Sequence, residues 1–417
     1  MSELRDWLTF VHCHGMGPRT IYRLLQGFDS PEAILSASNS QLTSAGLSAA
    51  KVAALREVDH SAIERDIDWC EASEDRHIIP CFSDSYPPLL KQIADPPLVL
   101  YVRGDLDVLH TPQLAIVGSR KPSPGAASHA SAMAGQLCNY GLTICSGLAV
   151  GVDTCAHRGA LQADGLTVAV TATGLDRVYP AANQPLAREI VKNGAIVSEF
   201  PIGTTPKPAY FPRRNRIISG LCFGTLVVEA ALKSGTLTTA AHATEQSREV
   251  FAIPGSIDNP QSRGCHALIR NGAMLVETID DILVQLAPLL PTTVETNPVD
   301  AAGSDDENNL KAKPATPSKR IEQAGPAPEK RTVKSDPDEL PSKNRQVEGG
   351  KQQDTKQTQT LAADMQRVLD AFDYTPLPLD AIVESTGFDI VTVTSLAFDL
   401  ELNGAIVKVA GGKYVKT

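Results

Sequence analysis

Several things this chain lacks narrow what it can be. No run of about 18 apolar residues occurs, so no segment is long and apolar enough to span a membrane as a helix, and no membrane partner is expected. The opening MSELRDWLTF has no basic run followed by an apolar core, so no secretory leader is expected and the cytoplasm is the expected compartment. The 8 cysteines include no C-x-x-C pair, which argues against a structural zinc site and a redox couple. Positive charge is scarce: 38 Lys and Arg against 48 Asp and Glu give a formal net charge of -10. That balance argues against a surface that coats nucleic acid wholesale. It leaves room for a local basic groove, because field focusing depends on the patch and its walls. Aromatic residues are few, at 5%, and the stretch 291–358 has none. That stretch is rich in Pro, Ser, Lys, Glu and Gln. It cannot bury enough apolar surface to offset chain entropy, and a disordered linker is expected.

What is present divides around that linker. Residues 1–75 read as short helices. LTFVHCHGMGPRTIYRLLQGF places Gly15 and Gly17 between two apolar-periodic segments, with Pro18 set to start a helix. A weaker copy follows at LTSAGLSAAKVAAL. The pattern resembles a helix-hairpin-helix (SAM-like) module, whose glycine turn offers backbone N–H groups to a phosphate. The segment is acidic overall, so a positioning or interaction role suits it equally. His12 and His14 have no Cys or carboxylate at ligand spacing, and no metal is expected.

Residues 76–290 carry the main domain. After a proline-rich connector with strands at HIIPCF and Leu98–Val102, seven apolar runs alternate with helical segments: LAIVG, TICSG, TVAVTATG, AIVSEF, TLVVEA, EVFAIPG and AMLVE. Short, continuous, β-branched runs mark strands buried on both faces of a parallel sheet. The expected fold is therefore α/β, an extended doubly wound Rossmann-like domain. Residues 359–417 give three helical stretches and a hairpin turning at Gly411–Gly412, a winged-helix pattern. The would-be recognition helix, Thr392 to Asn403, has no Lys or Arg and carries Asp399 and Glu401. Phosphates would repel it, which favours protein contact. Lys408, Lys413 and Lys416 on the wing keep DNA contact open.

In doubly wound sheets, ligands bind beyond the carboxyl ends of the strands. Gly118, Ser119 and Arg120 follow one strand there, Ser146, Gly147 and Gly151 a second, and Lys233, Ser234, Gly235 and Thr236 a third. Glycine turns that open helices present free N–H groups and a positive dipole end to anions. The stretch PKPAYFPRRNRIISG falls at the same rim and holds Lys207, Arg213, Arg214, Arg216, Tyr210 and Phe211, with no acidic residue. Cations attract phosphate, and aromatic faces stack unpaired bases. Alone, this stretch fits a solvated basic loop. Beside three glycine turns it becomes one wall of a phosphate-binding groove. The run G-L-A-V-G does not match G-x-G-x-x-G, so no dinucleotide cofactor is expected. Asp153 and His157 share a helix start with no matched nucleophile; packing and capping are expected of them, and no catalytic residue is assigned. Glu229 ends a strand at the rim and is expected to hold one of the arginines.

The runs VGSR, SGLAVGVDTCAHRGAL, FPRRNRIISGL, VVEAALKSGTLTTAAHA, VFAIPG and GCHALIRNGA, in that order, resemble the DNA-processing protein DprA (Smf) family. The resemblance implies a recombination mediator rather than an enzyme. Such a protein binds single-stranded DNA, protects it, loads the recombinase RecA onto it during natural transformation and acts as a homodimer. It carries the family's DNA pocket onto Arg120 and Lys207, then onto Phe211, Arg214, Asn215 and Ser146. Gly118, Ser119, Gly147, Arg216, Ser234 and Gly235 complete the expected DNA surface. The family's dimer contact falls on GCHALIRNGAMLV, pointing to His266, Ile269 and Leu275. The sheet is also similar to the lysine-decarboxylase-like nucleoside monophosphate hydrolases, which carry P-G-G-x-G-T-x-x-E. Here SGTLTTAA has neither the preceding PGG nor the glutamate, so that enzyme reading lacks its carboxylate.

Overall fold

Small polar residues and prolines set the helix starts in the first quarter of the chain. Gly17 precedes Pro18 at the start of α2 (Pro18–Leu25), after α1 (Ser2–His12). Side chains of Ser30, Ser38, Ser48 and Asp59 cap α3 (Pro31–Ser36), α4 (Asn39–Ser44), α5 (Ala49–Arg56) and α6 (His60–Glu71), each accepting from a first-turn N–H. The computed structural model describes residues 2–290, 363–409 and 413–416. The linker expected at 291–358 and the Gly411–Gly412 turn lie outside the described residues. The described residues belong to one compact unit.

The chain then builds the sheet. Its elements in order are β1 (Arg76–Pro80), α7 (Pro88–Lys91), β2 (Val99–Gly104), β3 (Gln113–Val117), α8 (Pro124–Asn139), β4 (Thr143–Ser146), α9 (Val152–Gln162) and β5 (Thr167–Val170). There follow α10 (Gln184–Ile190), β6 (Gly194–Ser198), α11 (Tyr210–Leu221), β7 (Gly224–Val227), α12 (Thr236–Glu245), β8 (Glu249–Ala252), α13 (Arg263–Arg270), β9 (Met274–Leu275) and α14 (Ile279–Leu286). The strand order is β1-β2-β6-β5-β4-β3-β7-β8-β9. From β6 to β9 every neighbouring pair is parallel, as the buried β-branched runs require. Strands β1 and β2 join antiparallel at the β6 edge, so the proline-rich connector is part of the same sheet.

The order turns back at β3 and β7. After β3 the chain runs outward through β4 and β5 to β6; it then returns past three strands to β7, and α11 makes that return. A helix crossing the sheet face must bury most of its surface, and every residue of α11 from Arg214 to Leu221 is buried. The charged stretch singled out in the sequence is thus an interior helix with an exposed start.

The N-terminal helices do not keep a core of their own. Trp7, Phe10 and Ile21 join one hydrophobic cluster with Tyr101 of β2, Val197 of β6 and Ile217 of α11. Asp66 of α6, fully buried, ties the two parts together. It accepts from Tyr101 Oη at 2.5 Å and Ile202 N at 3.0 Å, and His12 Nε2 lies 2.7 Å from it. His12 is thereby a structural partner of Asp66. The opposite sheet face packs under α8, α9 and α14.

The last segment has its own core around Val368, Phe372, Ile382 and Leu396. It comprises α15 (363–371), β10 (Leu377–Pro378), α16 (Leu379–Thr386), α17 (Ile390–Leu402), β11 (Ile406–Val409) and β12 (Lys413–Lys416). The sheet order β10-β12-β11 completes the winged helix. Among the described residues, no single helix is long and apolar enough to cross a membrane.

Candidate functional site

A cavity of about 680 Å³ opens where the strand order turns back. Its walls come from the loops after β3 and β7, from residues near the start of α9 and from the start of α11. Gly118, Ser119, Arg120, Phe211, Arg214, Asn215, Ser234 and Gly235 all line it, so eight residues scattered over the sequence meet at one place. Two of the loops touch each other directly. Val152 N donates to Ser119 O at 3.1 Å, and Gly151 sits at φ 86 against the same carbonyl. A Cβ on Gly151 would lie 2.3 Å from Ser119 O, so only glycine permits this approach. Thr236 Oγ1 donates to Gly118 O at 2.9 Å and pins the third loop to the first.

Arg120 is exposed, and its guanidinium lies 5.5 Å from the centre of the Phe211 ring. Phe211 in turn faces Tyr179 with ring centres 5.7 Å apart, and Tyr179 is 48% exposed. A cation and two aromatic faces thus stand together at the cavity mouth. At its far side, Ser234 Oγ accepts from Thr236 N at 3.2 Å, Leu237 N donates to Ser234 O at 3.2 Å and Thr238 N donates to Gly235 O at 3.2 Å, so the first-turn N–H groups of α12 are engaged and the helix offers the cavity the positive end of its dipole. Lys233 is exposed beside it.

Beneath this mouth lies a buried scaffold. Arg214 Nη1 donates to Gly147 O at 2.5 Å and also to Val170 O, while its Nε donates to Asn215 Oδ1 at 3.1 Å. Burial pushes its pKa down, opposed by the nearby Asp153 carboxylate. Asp153 accepts from Gly147 N at 3.1 Å and Ala149 N at 3.3 Å; burial pushes its pKa up, and Arg214 opposes the rise. Asn215 Nδ2 donates to Thr238 Oγ1 at 2.9 Å. Arg214, Asn215 and Asp153 therefore lock three rim loops to one another.

Other expected DNA contacts are placed differently. Ser146 is fully buried and donates to Ile116 O at 2.6 Å; it shapes the strand end and does not reach the cavity. Gly147 lies under the Arg214 guanidinium, 2.5 Å from where a Cβ would stand, so it is covered. Arg216 points away from the cavity: its Nη2 is 2.5 Å from Glu199 Oε2, and its Nη1 donates to Asp95 O at 2.5 Å. Lys207 is exposed outside the cavity, 5.5 Å from the Tyr210 ring centre. Glu229 holds no arginine. It accepts from Ser123 N at 3.1 Å and Asn259 Nδ2 at 3.0 Å, fixing the loop after β3 instead. Glu199 is instead paired with both Arg213 and Arg216, and Asp95 also pairs with Arg216.

His157 is sealed on the buried face of α9. Thr167 Oγ1 donates its proton to Ile144 O at 2.7 Å, so His157 Nδ1 donates to Thr167 Oγ1, also at 2.7 Å. Burial lowers its pKa to about 3, leaving it neutral. On the remaining side, Gly125 N at the start of α8 donates to Asp373 Oδ2 at 3.0 Å, which seats the winged helix beside the Gly118–Arg120 loop. Tyr179, Glu199 and Asp373 were not picked out from sequence. Of these only Glu199, ending a strand at the rim as Glu229 does, carried a usable signal. His266 and Ile269 are half-buried on α13, and Leu275 is 43% exposed on the edge strand β9.

The chain is similar to known proteins over this region and beyond. Residues 77–287 match the model of DNA recombination-mediator protein A, and residues 352–412 match the DprA winged helix domain. Protein Smf of Escherichia coli is 48% identical over 226 residues, covering 54% of this chain and 60% of that protein. Protein Smf of Synechocystis is 33% identical over 437 residues, covering 99% of this chain and 98% of that protein. The crystal structure of DNA processing protein A (DprA) from Streptococcus pneumoniae superposes with a TM-score of 0.61 at 36% identity, covering 67% of this chain and 97% of that one. By the extent of these matches and the geometry of the sheet that carries them, the chain belongs to the DNA recombination-mediator protein A family.

Proposed function

We propose that the strand-end rim binds single-stranded DNA and that the protein acts as a mediator of recombination rather than as an enzyme. The observation that carries this is the grouping of exposed Arg120 and Tyr179 around the half-buried Phe211, with exposed Lys233 beside the positive end of α12. Unpaired bases stack on aromatic faces, while phosphates take the cations and the positive end of the helix dipole. A duplex offers no free base face to such a mouth. Arg120 and Lys207 supply the accessible charge, and Arg214 and Asn215 hold the loops that carry it. Loading of RecA, protection of incoming strands during natural transformation and a homodimer through His266, Ile269 and Leu275 belong to the same reading. The exposed edge strand β9, with Met274 and Leu275 at 39% and 43% exposure, suits a dimer contact. The acidic and apolar face of α17 suits a protein partner.

The hydrolase alternative has less support. The first turn of α12 contains no acidic residue, and no carboxylate replaces the glutamate that such enzymes place there. An anisotropy titration with oligothymidine, without metal or nucleotide, tests the proposal. Submicromolar binding by the parent is expected, lost when Arg120→Ala and Lys207→Ala are combined, with an unchanged circular dichroism spectrum. Binding should also weaken with salt, each neutralised phosphate contributing about 0.7 to the log–log slope. A double variant that binds like the parent would refute the assignment.

A further inference from the structure

We propose a second base-binding subsite on the same single strand, in the cavity between the α1–α2 turn and the start of α11. It rests on the reading above and extends it. This cavity has a volume of about 810 Å³ and shares no lining residue with the first. The two are joined by α11. Phe211 and Arg214 face the first cavity, whereas Tyr210 and Arg213 face the second. Tyr210 and Phe211 are consecutive, so a strand stacked on one passes directly to the other.

The second cavity shares part of the chemistry of the first, an aromatic ring with cations beside it. Tyr210 and Phe200 have ring centres 4.5 Å apart. Arg213 lies 5.4 Å from the Phe200 ring centre and Lys207 lies 5.5 Å from that of Tyr210. Phe200 is buried at 4% exposure and backs the half-buried Tyr210, so Tyr210 is the ring that a base can stack on, with Lys207 and Arg213 beside it for the phosphate.

Glu199 adds an independent pointer to a ligand. Its side chain is 2% exposed and lines this cavity. Both arginines bind its Oε2, and Oε1 has no hydrogen-bond partner. A buried acceptor without a donor is costly, and a ligand N–H would satisfy it. Every nucleobase that pairs carries such a donor on its pairing edge, and that edge is free only in a single strand. Glu57 and Asp59 also border the cavity and would repel a phosphate placed inside. The base therefore enters, and its phosphate stays near Lys207 and Arg213. The opposite wall is the turn at Gly15 and Gly17, open enough that a Cβ on either meets nothing within 4 Å.

That openness supplies the test. Gly17 has φ -83 and ψ 168, extended backbone that any residue adopts, so Gly17→Trp can fill the cavity without strain. Single-stranded oligonucleotides of about 4 and about 16 nucleotides should be titrated against the full chain. With Gly17→Trp, affinity for the longer one should fall by about tenfold while the shorter one, held at Phe211, is unaffected. Phe211→Ala should weaken both. Cross-linking of a 5-iodouracil oligonucleotide, with peptide mapping, should mark the α1–α2 turn or Tyr210 in the parent and lose that mark in Gly17→Trp. If Gly17→Trp keeps full affinity for the longer strand and the same cross-links, the second subsite does not exist, while loss in Phe211→Ala would leave the first standing. If instead Gly17→Trp weakens binding and Phe211→Ala does not, the second subsite stands and the first reading falls.

Discussion

The strand-end rim and helix α17 make an instructive pair, because both belong to architectures widely used on nucleic acids and their side chains say different things. At the rim, Arg120 stands over Phe211, and Lys233 is exposed beside the start of α12. Helix α17 carries no Lys or Arg; it exposes Val391 at 75%, Phe398 at 60% and Leu402 at 71%, beside Asp399 and Glu401. One surface suits a phosphate chain with unpaired bases. The other repels phosphate and offers apolar area, which suits a protein. Fold alone would have assigned both to DNA; the residues separate them.

The sharpest way to break this comparison is to remove the scaffold beneath the rim. Arg214→Ala leaves Asp153 buried without the nearby cation and three hydrogen bonds unmade, to Gly147, Val170 and Asn215. It should cost about 3–5 kcal/mol of stability, read as a lower urea midpoint, and should abolish binding with it. Arg120→Ala, at an exposed position, should leave the midpoint unchanged and weaken single-strand binding by about tenfold. The two arginines stand on one rim, and a similar stability loss in both would deny the division between scaffold and contact. Smallest of all should be the effect of truncation after Leu290, which removes α17. Most single-strand affinity should remain, and complete loss would restore the winged helix to a DNA role.

The sequence made the strands legible because continuous β-branched runs have no other comfortable home. It made the rim legible because Gly118, Gly151 and Gly235 each follow a strand. It did not reveal that β1 and β2 extend the sheet, since an antiparallel edge pair looks like any two strands in a connector. Nor did it separate the arginines. Arg213, Arg214 and Arg216 read alike in a line, and only the crossing of α11 over the sheet sends Arg214 under the rim and Arg216 to Glu199. Glu229 and Glu199 both end strands at the rim. Which of them meets a guanidinium depends on the path by which α11 crosses the sheet face, which local sequence does not encode. Tyr179 reaches Phe211 from a loop after β5, a contact with no signature in either stretch.

The account stands most directly on whether the rim prefers an unpaired strand. The decisive measurement is an anisotropy titration of the full chain with one single-stranded oligonucleotide and with its duplex at the same salt. Stacking on Phe211 and Tyr179 predicts that the single strand binds at least about tenfold more tightly, and that Phe211→Ala removes most of that difference. A duplex bound as tightly as the single strand, with Phe211→Ala changing neither, would contradict it.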